Sequence, residues 1–313
     1  MLGLELPALA DRFATMNAAR ALLEGLIDYA GLFPPASLSM PQAVNAYAGY
    51  LDGDDRALLG RFVVPATRLD EFSDVASPFL SRGGEPWHLS VIATADPSDA
   101  REKALHFNCS HSATTAAGHA ICDAIEIPVK SAGDISRALG LFPAFFELFL
   151  EIPLDPDPAE LIAALSGTRA AAKMRTGGTV ESAIPGAAHI LRFIRACSVH
   201  HVRFKATAGL HHAMRGSYPL TYEADAAAGV MFGYLNIFLA SVFIEDGMRD
   251  ADLLRLLEET DASAFTFDDA RVTWRSHSAP LDRIRDVRRD FAMSFGSCSF
   301  TEPIAEGKHL GFL

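Results

Sequence analysis

Two lysines occupy matching places in two similar segments of the chain. Lys173 lies in Ala-Ala-Lys-Met-Arg-Thr-Gly-Gly and Lys205 lies in Arg-Phe-Lys-Ala-Thr-Ala-Gly-Leu, so each apolar run stops at a threonine and a glycine. A buried ammonium is costly, and two that face each other cost more. The chemistry that most needs such a pair is imine formation, because burial and a second ammonium lower the pKa of the lysine that attacks a carbonyl.

Two glutamates in neighbouring apolar runs are the candidates for the proton transfers of this chemistry. Loss of water from a carbinolamine and a later carbon–carbon step each need a carboxylate within hydrogen-bond reach. Glu126 is the first choice and Glu151 the second. The alternative is that these glutamates form structural ion pairs with the lysines, and such buried pairs are only weakly favourable for stability.

Short apolar runs alternate with helical patterns from about residue 28 to about residue 268. This order is typical of βα units and a parallel sheet. The predicted strands are 29–33, 61–65, 88–93, 124–129, 145–152, 171–175, 202–206 and 264–267. The predicted helices include 41–51, 70–80, 134–141, 159–165, 188–197 and 252–259.

Eight strands with intervening helices predict an α/β fold, a TIM (β/α)8 barrel, in a single domain over residues 1–313. Residues 1–26 are expected to form an N-terminal helical extension, and residues 282–313 a C-terminal helix and a tail. If the first strand fails, an open doubly wound sheet is the alternative.

The carboxyl ends of parallel barrel strands converge on one mouth, so polar residues there are candidates for chemistry. A strand repeat of two places Lys173 with Arg175, and Lys205 with Thr207, on one face. The polar residues near predicted strand ends are His88, Glu126, Glu151, Lys173, Arg175, Lys205, Thr207 and Asp268.

Three consecutive segments resemble the deoxyribose-phosphate aldolases, a family of class I aldolase barrels. Residues 123–129, Asp-Ala-Ile-Glu-Ile-Pro-Val, resemble that family's fourth-strand pattern Asp-Glu-Ile-Asp-x-Val. Residues 173–177 resemble its sixth-strand Lys-Thr-Ser-Thr-Gly, and residues 205–210 its seventh-strand Lys-Ala-Ser-Gly-Gly-Ile. The resemblance covers about residues 120–212 and implies Lys173 as the Schiff-base lysine, Lys205 as its pKa partner and Glu126 in place of the family's aspartate.

Departures from the pattern of this family indicate which class of substrate to expect. Arg175 replaces a small residue and adds a charge suited to a carboxylate, and the eighth predicted strand ends in two aspartates, which repel phosphate. We therefore expect a lyase that needs no metal or other cofactor and acts on a small carbonyl compound carrying a carboxylate or another anion. The expected substrate-binding residues are Arg175, Thr176, Gly177, Gly178, Thr207, Gly209, His211 and Asp268.

Two other function classes stay open. His211 and His212, with Glu126, Glu151 and Asp268, are ligand types from which a metal-dependent hydrolase or isomerase could be built. A non-catalytic barrel that binds a small anion is the second alternative. An apolar helix expected at about residues 224–244 is either a core helix or an interface of a homo-oligomer.

The amino-acid composition limits the kinds of partner that this protein is expected to bind. The formal net charge is −12, with 39 acidic and 27 basic residues, which argues against nucleic acid and anionic membranes as partners. The start of the chain resembles no secretory signal, so a cytoplasmic location is expected. The four cysteines show no metal or disulfide spacing, and Cys298, between two serines, is the one candidate for a catalytic thiol.

Overall fold

The chain forms a TIM (β/α)8 barrel in a computed structural model that describes residues 18–81, 84–93, 96–112 and 117–313. The strands are β1 (Ile27–Tyr29), β2 (Leu59–Pro65), β3 (Trp87–Ile92), β4 (Ala120–Pro128), β5 (Glu147–Glu151), β6 (Ala171–Arg175), β7 (Phe204–Thr207), β8 (Gly216–Pro219), β9 (Ala228–Met231), β10 (Phe265–Phe267), β11 (Arg271–Trp274), β12 (His277–Pro280) and β13 (Ala292–Ser297).

The α-helices cover the outside of the barrel. They are α1 (Ala18–Leu23), α2 (Met40–Leu51), α3 (Leu69–Ala76), α4 (Pro97–Ser110), α5 (Ala132–Leu141), α6 (Ala159–Ala163), α7 (Ala187–Val199), α8 (Tyr234–Glu245), α9 (Asp250–Leu257), α10 (Leu281–Asp290) and α11 (Thr301–His309). Of the expected N-terminal extension, residues 1–17 lie outside the described residues, and α1 follows them.

Eight parallel strands close the barrel in the order β1, β2, β3, β4, β5, β6, β7 and β13. The first seven follow the predicted order, although β1 begins at Ile27 and ends at Tyr29, earlier than expected. The prediction of the eighth strand is wrong, because β13 takes that place between β7 and β1. The segment expected as a tail therefore supplies a barrel strand and a final helix, α11.

The long segment between β7 and β13 forms structure outside the barrel wall. The predicted eighth strand is β10, which pairs with β11 and then β12 in a separate antiparallel sheet. The expected apolar helix starts later than predicted, because β8 and β9 form a hairpin before it. All residues of α8 from Tyr234 to Ile244 are buried within the chain, so this helix is a core element.

Apolar side chains fill the space between strands and helices, whereas the barrel interior holds few of them. A small separate cluster of Ala124, Phe149 and Ala171, with Met293 packed against it, shares strand faces with the glutamates and lysines of β4 to β6. The Lys205 ammonium lies 5.1 Å from the centre of the Phe149 ring. The barrel interior therefore contains few apolar side chains and several charged ones, and charged side chains are unusual at buried positions.

Among the described residues, no helix combines the length and the apolar character that crossing a membrane requires.

Candidate active site

The two lysines lie side by side in the barrel interior and share one carboxylate. Strands β6 and β7 pair in a register that places Lys173 opposite Lys205. The two oxygens of Glu126, on β4, divide between them: Oε2 lies 2.6 Å from the Lys173 Nζ, and Oε1 lies 2.6 Å from the Lys205 Nζ. The carboxylate therefore bridges both ammonium groups.

Lys205 is enclosed on all sides. Its side chain has 0% exposure, and its Nζ donates to Asp28 Oδ2 at 2.5 Å as well as to Glu126. Asp28, on β1, is fixed in turn by the Arg61 backbone N–H at 2.7 Å and by the Ser294 hydroxyl at 2.9 Å. Lys205 is thus a fixed cation beneath the site.

Lys173 lies at the edge of the network and lines the cavity above it. Its Nζ is 2.7 Å from Glu151 Oε2, and the other Glu151 oxygen is 3.5 Å from Arg175 Nε. The Glu151 side chain is 26% exposed, in contrast to 2% for Glu126. Lys173 therefore contacts one enclosed carboxylate and one that water can reach.

The electrostatics follow from this arrangement. Burial alone raises the pKa of Glu126, but the ammonium groups of Lys173 and Lys205 outweigh it and hold the pKa below its ordinary value. The pKa of Glu151 is also lowered, since Lys173 and Arg175 outweigh its burial. Burial alone lowers the pKa of Lys205, but Asp28 and Glu126 reverse this and raise it. Both glutamates are therefore ionised and Lys205 is charged at neutral pH.

The two threonine-glycine turns that follow the lysines pack directly against each other. The Thr176 N–H donates to the Thr207 carbonyl at 2.8 Å, and the Thr176 hydroxyl donates to the Ala208 carbonyl. A Cβ on Gly177 would lie 3.0 Å from the Cα of Gly209, which has a φ of +76°. The two segments are therefore similar for a structural reason. Glycine lets the two turns approach each other closely, and this close approach aligns the lysines.

A cavity of about 390 Å³ opens above Lys173 at the carboxyl ends of the strands. Six of the residues predicted to bind substrate line it: Arg175, Gly177, Gly178, Thr207, Gly209 and His211. Thr176 is buried behind the wall, where it joins the two turns. Most other lining side chains are apolar, including Phe33, Val63, Ile92, Val180, Leu220 and Met231.

Asp268 and His88 do not belong to this site, which corrects their predicted placement. Asp268 is exposed and shapes the turn between β10 and β11, where its Oδ1 accepts from the Ala270 and Arg271 N–H groups. His88 lies near the start of β3 and is 2.9 Å from Asp123 Oδ2. His88 therefore lies at the amino-terminal end of the barrel.

Several residues of the site were not assigned a role from the sequence. Asp28 precedes the predicted first strand by one residue and was expected only as a polar group beside the mouth, whereas it pairs with Lys205. Ser90 donates to Glu126 Oε1 at 2.6 Å, and Ser294 holds Asp28, but isolated serines carry no recognisable pattern. Cys298, which the sequence singled out as a thiol but did not place in the site, lines the cavity because it follows β13.

The two adjacent histidines point to different partners. His211 lies 3.4 Å from a Glu302 oxygen, whereas His212 lies 3.1 Å from a Glu306 oxygen and stacks on Tyr218. Within the described parts of the chain, no group of three or more His, Cys, Asp or Glu side chains is arranged to hold a metal ion.

No protein-family model matches this chain, and neither a curated protein nor a solved structure matches it.

Proposed function

We propose that this protein is a lyase that forms a Schiff base between Lys173 and a small carbonyl substrate bearing a carboxylate or another anion. One observation carries the proposal: Lys173 alone of the lysine pair lines the cavity, with a carboxylate on either side of its nitrogen. The sequence resemblance to class I aldolases points to the same lysine.

The two lysines have different roles because only Lys173, with its side chain 4% exposed, lines the cavity. Lys205 has 0% side-chain exposure and salt-bridges to two carboxylates, so no substrate reaches it. Its ammonium holds the Glu126 carboxylate that also contacts Lys173. Lys205 is therefore the positioning group, and Lys173 is the nucleophile.

The Lys173 ammonium must lose a proton before it attacks a carbonyl carbon. Glu151 is the better acceptor, since one of its oxygens is 2.7 Å from the Lys173 Nζ and the carboxylate is in contact with water. Glu126 is the poorer acceptor, because Lys173, Lys205 and Ser90 all donate to it. Proton transfer to Glu151 leaves the net charge of the cluster unchanged.

The remaining steps of imine formation use the proton that Glu151 has taken from Lys173. The neutral amine adds to the carbonyl carbon to give a carbinolamine, and protonated Glu151 delivers its proton to the hydroxyl group that leaves as water. The product is an iminium ion on Lys173, with the same single positive charge as the original ammonium. Glu126 and Glu151 therefore stabilise the iminium as they stabilise the ammonium, and the iminium can accept electrons from a breaking carbon–carbon bond.

The cavity wall supports a substrate that combines an anionic group with an apolar part. Arg175 lies at the rim with its side chain 54% exposed, and a guanidinium binds a carboxylate in bidentate fashion. The walls are mainly apolar, as expected for a pocket that buries a small organic ligand. A short keto acid or an aldehyde acid fits this combination better than a sugar phosphate.

Borohydride trapping tests the proposal. The protein is incubated with a panel of short keto acids and aldehydes, reduced with sodium borohydride, and mapped by mass spectrometry. We expect a stable adduct on Lys173 with at least one compound, and no adduct at this site in Lys173→Met.

Two controls sharpen the trapping result. Lys308, exposed and paired with Asp55, serves as the surface lysine in the same chain and is expected to trap less than Lys173. Lys205→Met is expected to trap weakly, because Glu126 loses the ammonium that holds it beside Lys173. Absence of an adduct on Lys173 with every compound would refute the imine chemistry and favour a barrel that only binds anions.

A further inference from the structure

A second group of reactive side chains lies in the wall of the same cavity. Cys298 directly follows β13, and its Sγ is 3.8 Å from His211 Nδ1 and 3.9 Å from Nε2. Glu302, in the first turn of α11, is 3.4 Å from the same imidazole. Tyr222 donates to Glu302 at 2.9 Å and lies 3.7 Å from the sulfur. The imidazole and the phenol thus each lie next to both the thiol and the carboxylate.

The cavity is the route to the thiol. Cys298 is 6% exposed and His211 8% exposed, and both line the cavity above Lys173. A small molecule that enters therefore meets an amine at the floor and a sulfur in the wall. The proposed imine chemistry uses neither Cys298 nor His211.

His211 is a charged group in direct contact with the sulfur. Burial alone lowers the pKa of His211, but Cys298 and Glu302 outweigh it and raise the pKa to about 9, so the imidazole is charged at neutral pH. Tyr29 and Tyr222 also face the sulfur, and burial with the nearby sulfur raises the pKa of both phenols, which stay neutral. Glu302 is the acidic group of this cluster, and the imidazolium contacts both the sulfur and the carboxylate.

We propose that Cys298, paired with His211, is a second nucleophilic site of this cavity, and that it binds small aldehydes as hemithioacetals. The thiolate sulfur forms a bond to the carbonyl carbon, and the π electrons move to the oxygen. That oxygen takes the proton from the His211 imidazolium, so nothing is oxidised or reduced and the step reverses by the same route. This site does not depend on the imine chemistry of Lys173.

The chain contains its own comparison thiols. Cys109 is exposed and has no such neighbours among the described residues. Cys122 and Cys197 are buried, and burial holds the pKa of each well above the ordinary range. If exposure alone governed reactivity, Cys109 would react first, and if pairing with His211 governs it, Cys298 reacts first.

Alkylation with iodoacetamide, followed residue by residue with mass spectrometry, tests the pairing. An unperturbed thiol has a pKa of about 8.5 and is about 1% thiolate at pH 6.5, so we expect Cys298 to react at least about tenfold faster than Cys109 there. His211→Gln should remove this advantage. Faster reaction of Cys109 at every pH, or an unchanged rate in His211→Gln, would overturn the proposal.

Protection by an aldehyde tests the ligand class. Acetaldehyde is added before iodoacetamide to the Lys173→Met protein, which cannot form the imine, and acetone is the control because ketones form hemithioacetals poorly. We expect acetaldehyde, and not acetone, to slow alkylation of Cys298 relative to Cys109. Equal protection by acetaldehyde and acetone, or protection by neither compound, would overturn aldehyde binding. Failed borohydride trapping on Lys173 would contradict the imine proposal alone.

Discussion

The two lysines should differ in what their removal costs the fold. In Lys205→Met, Asp28 loses its direct ion pair and keeps two neutral hydrogen-bond donors among the described residues, the Arg61 N–H and the Ser294 hydroxyl. Breaking a buried pair in this way costs about 3–5 kcal/mol. In Lys173→Met, Glu126 keeps Lys205, and the partly exposed Glu151 gains water, so we expect a loss of about 1–2 kcal/mol.

The measurement is urea unfolding of both variants and the parent protein at pH 7. The lowered pKa of Glu126 contributes stability above its ordinary value of about 4.3, and this contribution is lost as the pH falls through the folded-state pKa. The raised pKa of Lys205 contributes stability below about 10.4, lost as the pH rises through the folded-state pKa. Because pH 7 lies between these limits, both contributions are fully present.

The expected result is a difference of about 2 kcal/mol between the two variants, with Lys205→Met the less stable. The double variant Lys205→Met with Asp28→Asn should recover part of the loss, because the unpaired charge is gone. Equal losses, or a larger loss for Lys173→Met, would refute the assignment of Lys205 as the enclosed cation and Lys173 as the accessible group.

Two further substitutions test the cavity and the turns. Arg175→Ala should weaken binding of a keto acid about tenfold or more while leaving trapping of an uncharged aldehyde on Lys173 unchanged, and equal affinities for the keto acid in both proteins would contradict the anion site. Gly177→Ala should destabilise the fold by about 1–3 kcal/mol, because its Cβ would lie 3.0 Å from the Gly209 Cα, whereas Gly140→Ala, with nothing within 4 Å, should be neutral or stabilising in urea unfolding.

Sequence patterns located the lysines well because the barrel imposes a simple geometry. Adjacent parallel strands with matching apolar runs have a register that brings equivalent positions together, and Lys173 pairs with Lys205 as a result. Glu126 and Glu151, which also lie near predicted strand ends, each contact Lys173. What remained hidden was the sharing of one carboxylate, since it depends on side-chain geometry.

The eighth strand was missed for a physical reason that involves the site itself. The sequence of β13 is Ala-Met-Ser-Phe-Gly-Ser, a weakly apolar run, whereas β10 reads Phe-Thr-Phe and has the stronger strand signal. Small residues are needed there: Ser294 donates to Asp28, and a Cβ on Gly296 would lie 3.0 Å from the Thr207 hydroxyl oxygen. The small residues that leave space for the charged network therefore give β13 a weaker strand pattern.

The charged interior is hard to explain by stability alone. Three carboxylates and two ammoniums lie within one layer, and replacing such buried pairs with apolar side chains of similar volume is often neutral or stabilising. A structural cluster also has no need for an opening, yet Lys173 lines a cavity while Lys205 is sealed. Unequal access to two otherwise matched lysines suits imine chemistry, because one amine can meet a substrate while the other holds the shared carboxylate in place. The network therefore favours a catalytic role over a purely structural one.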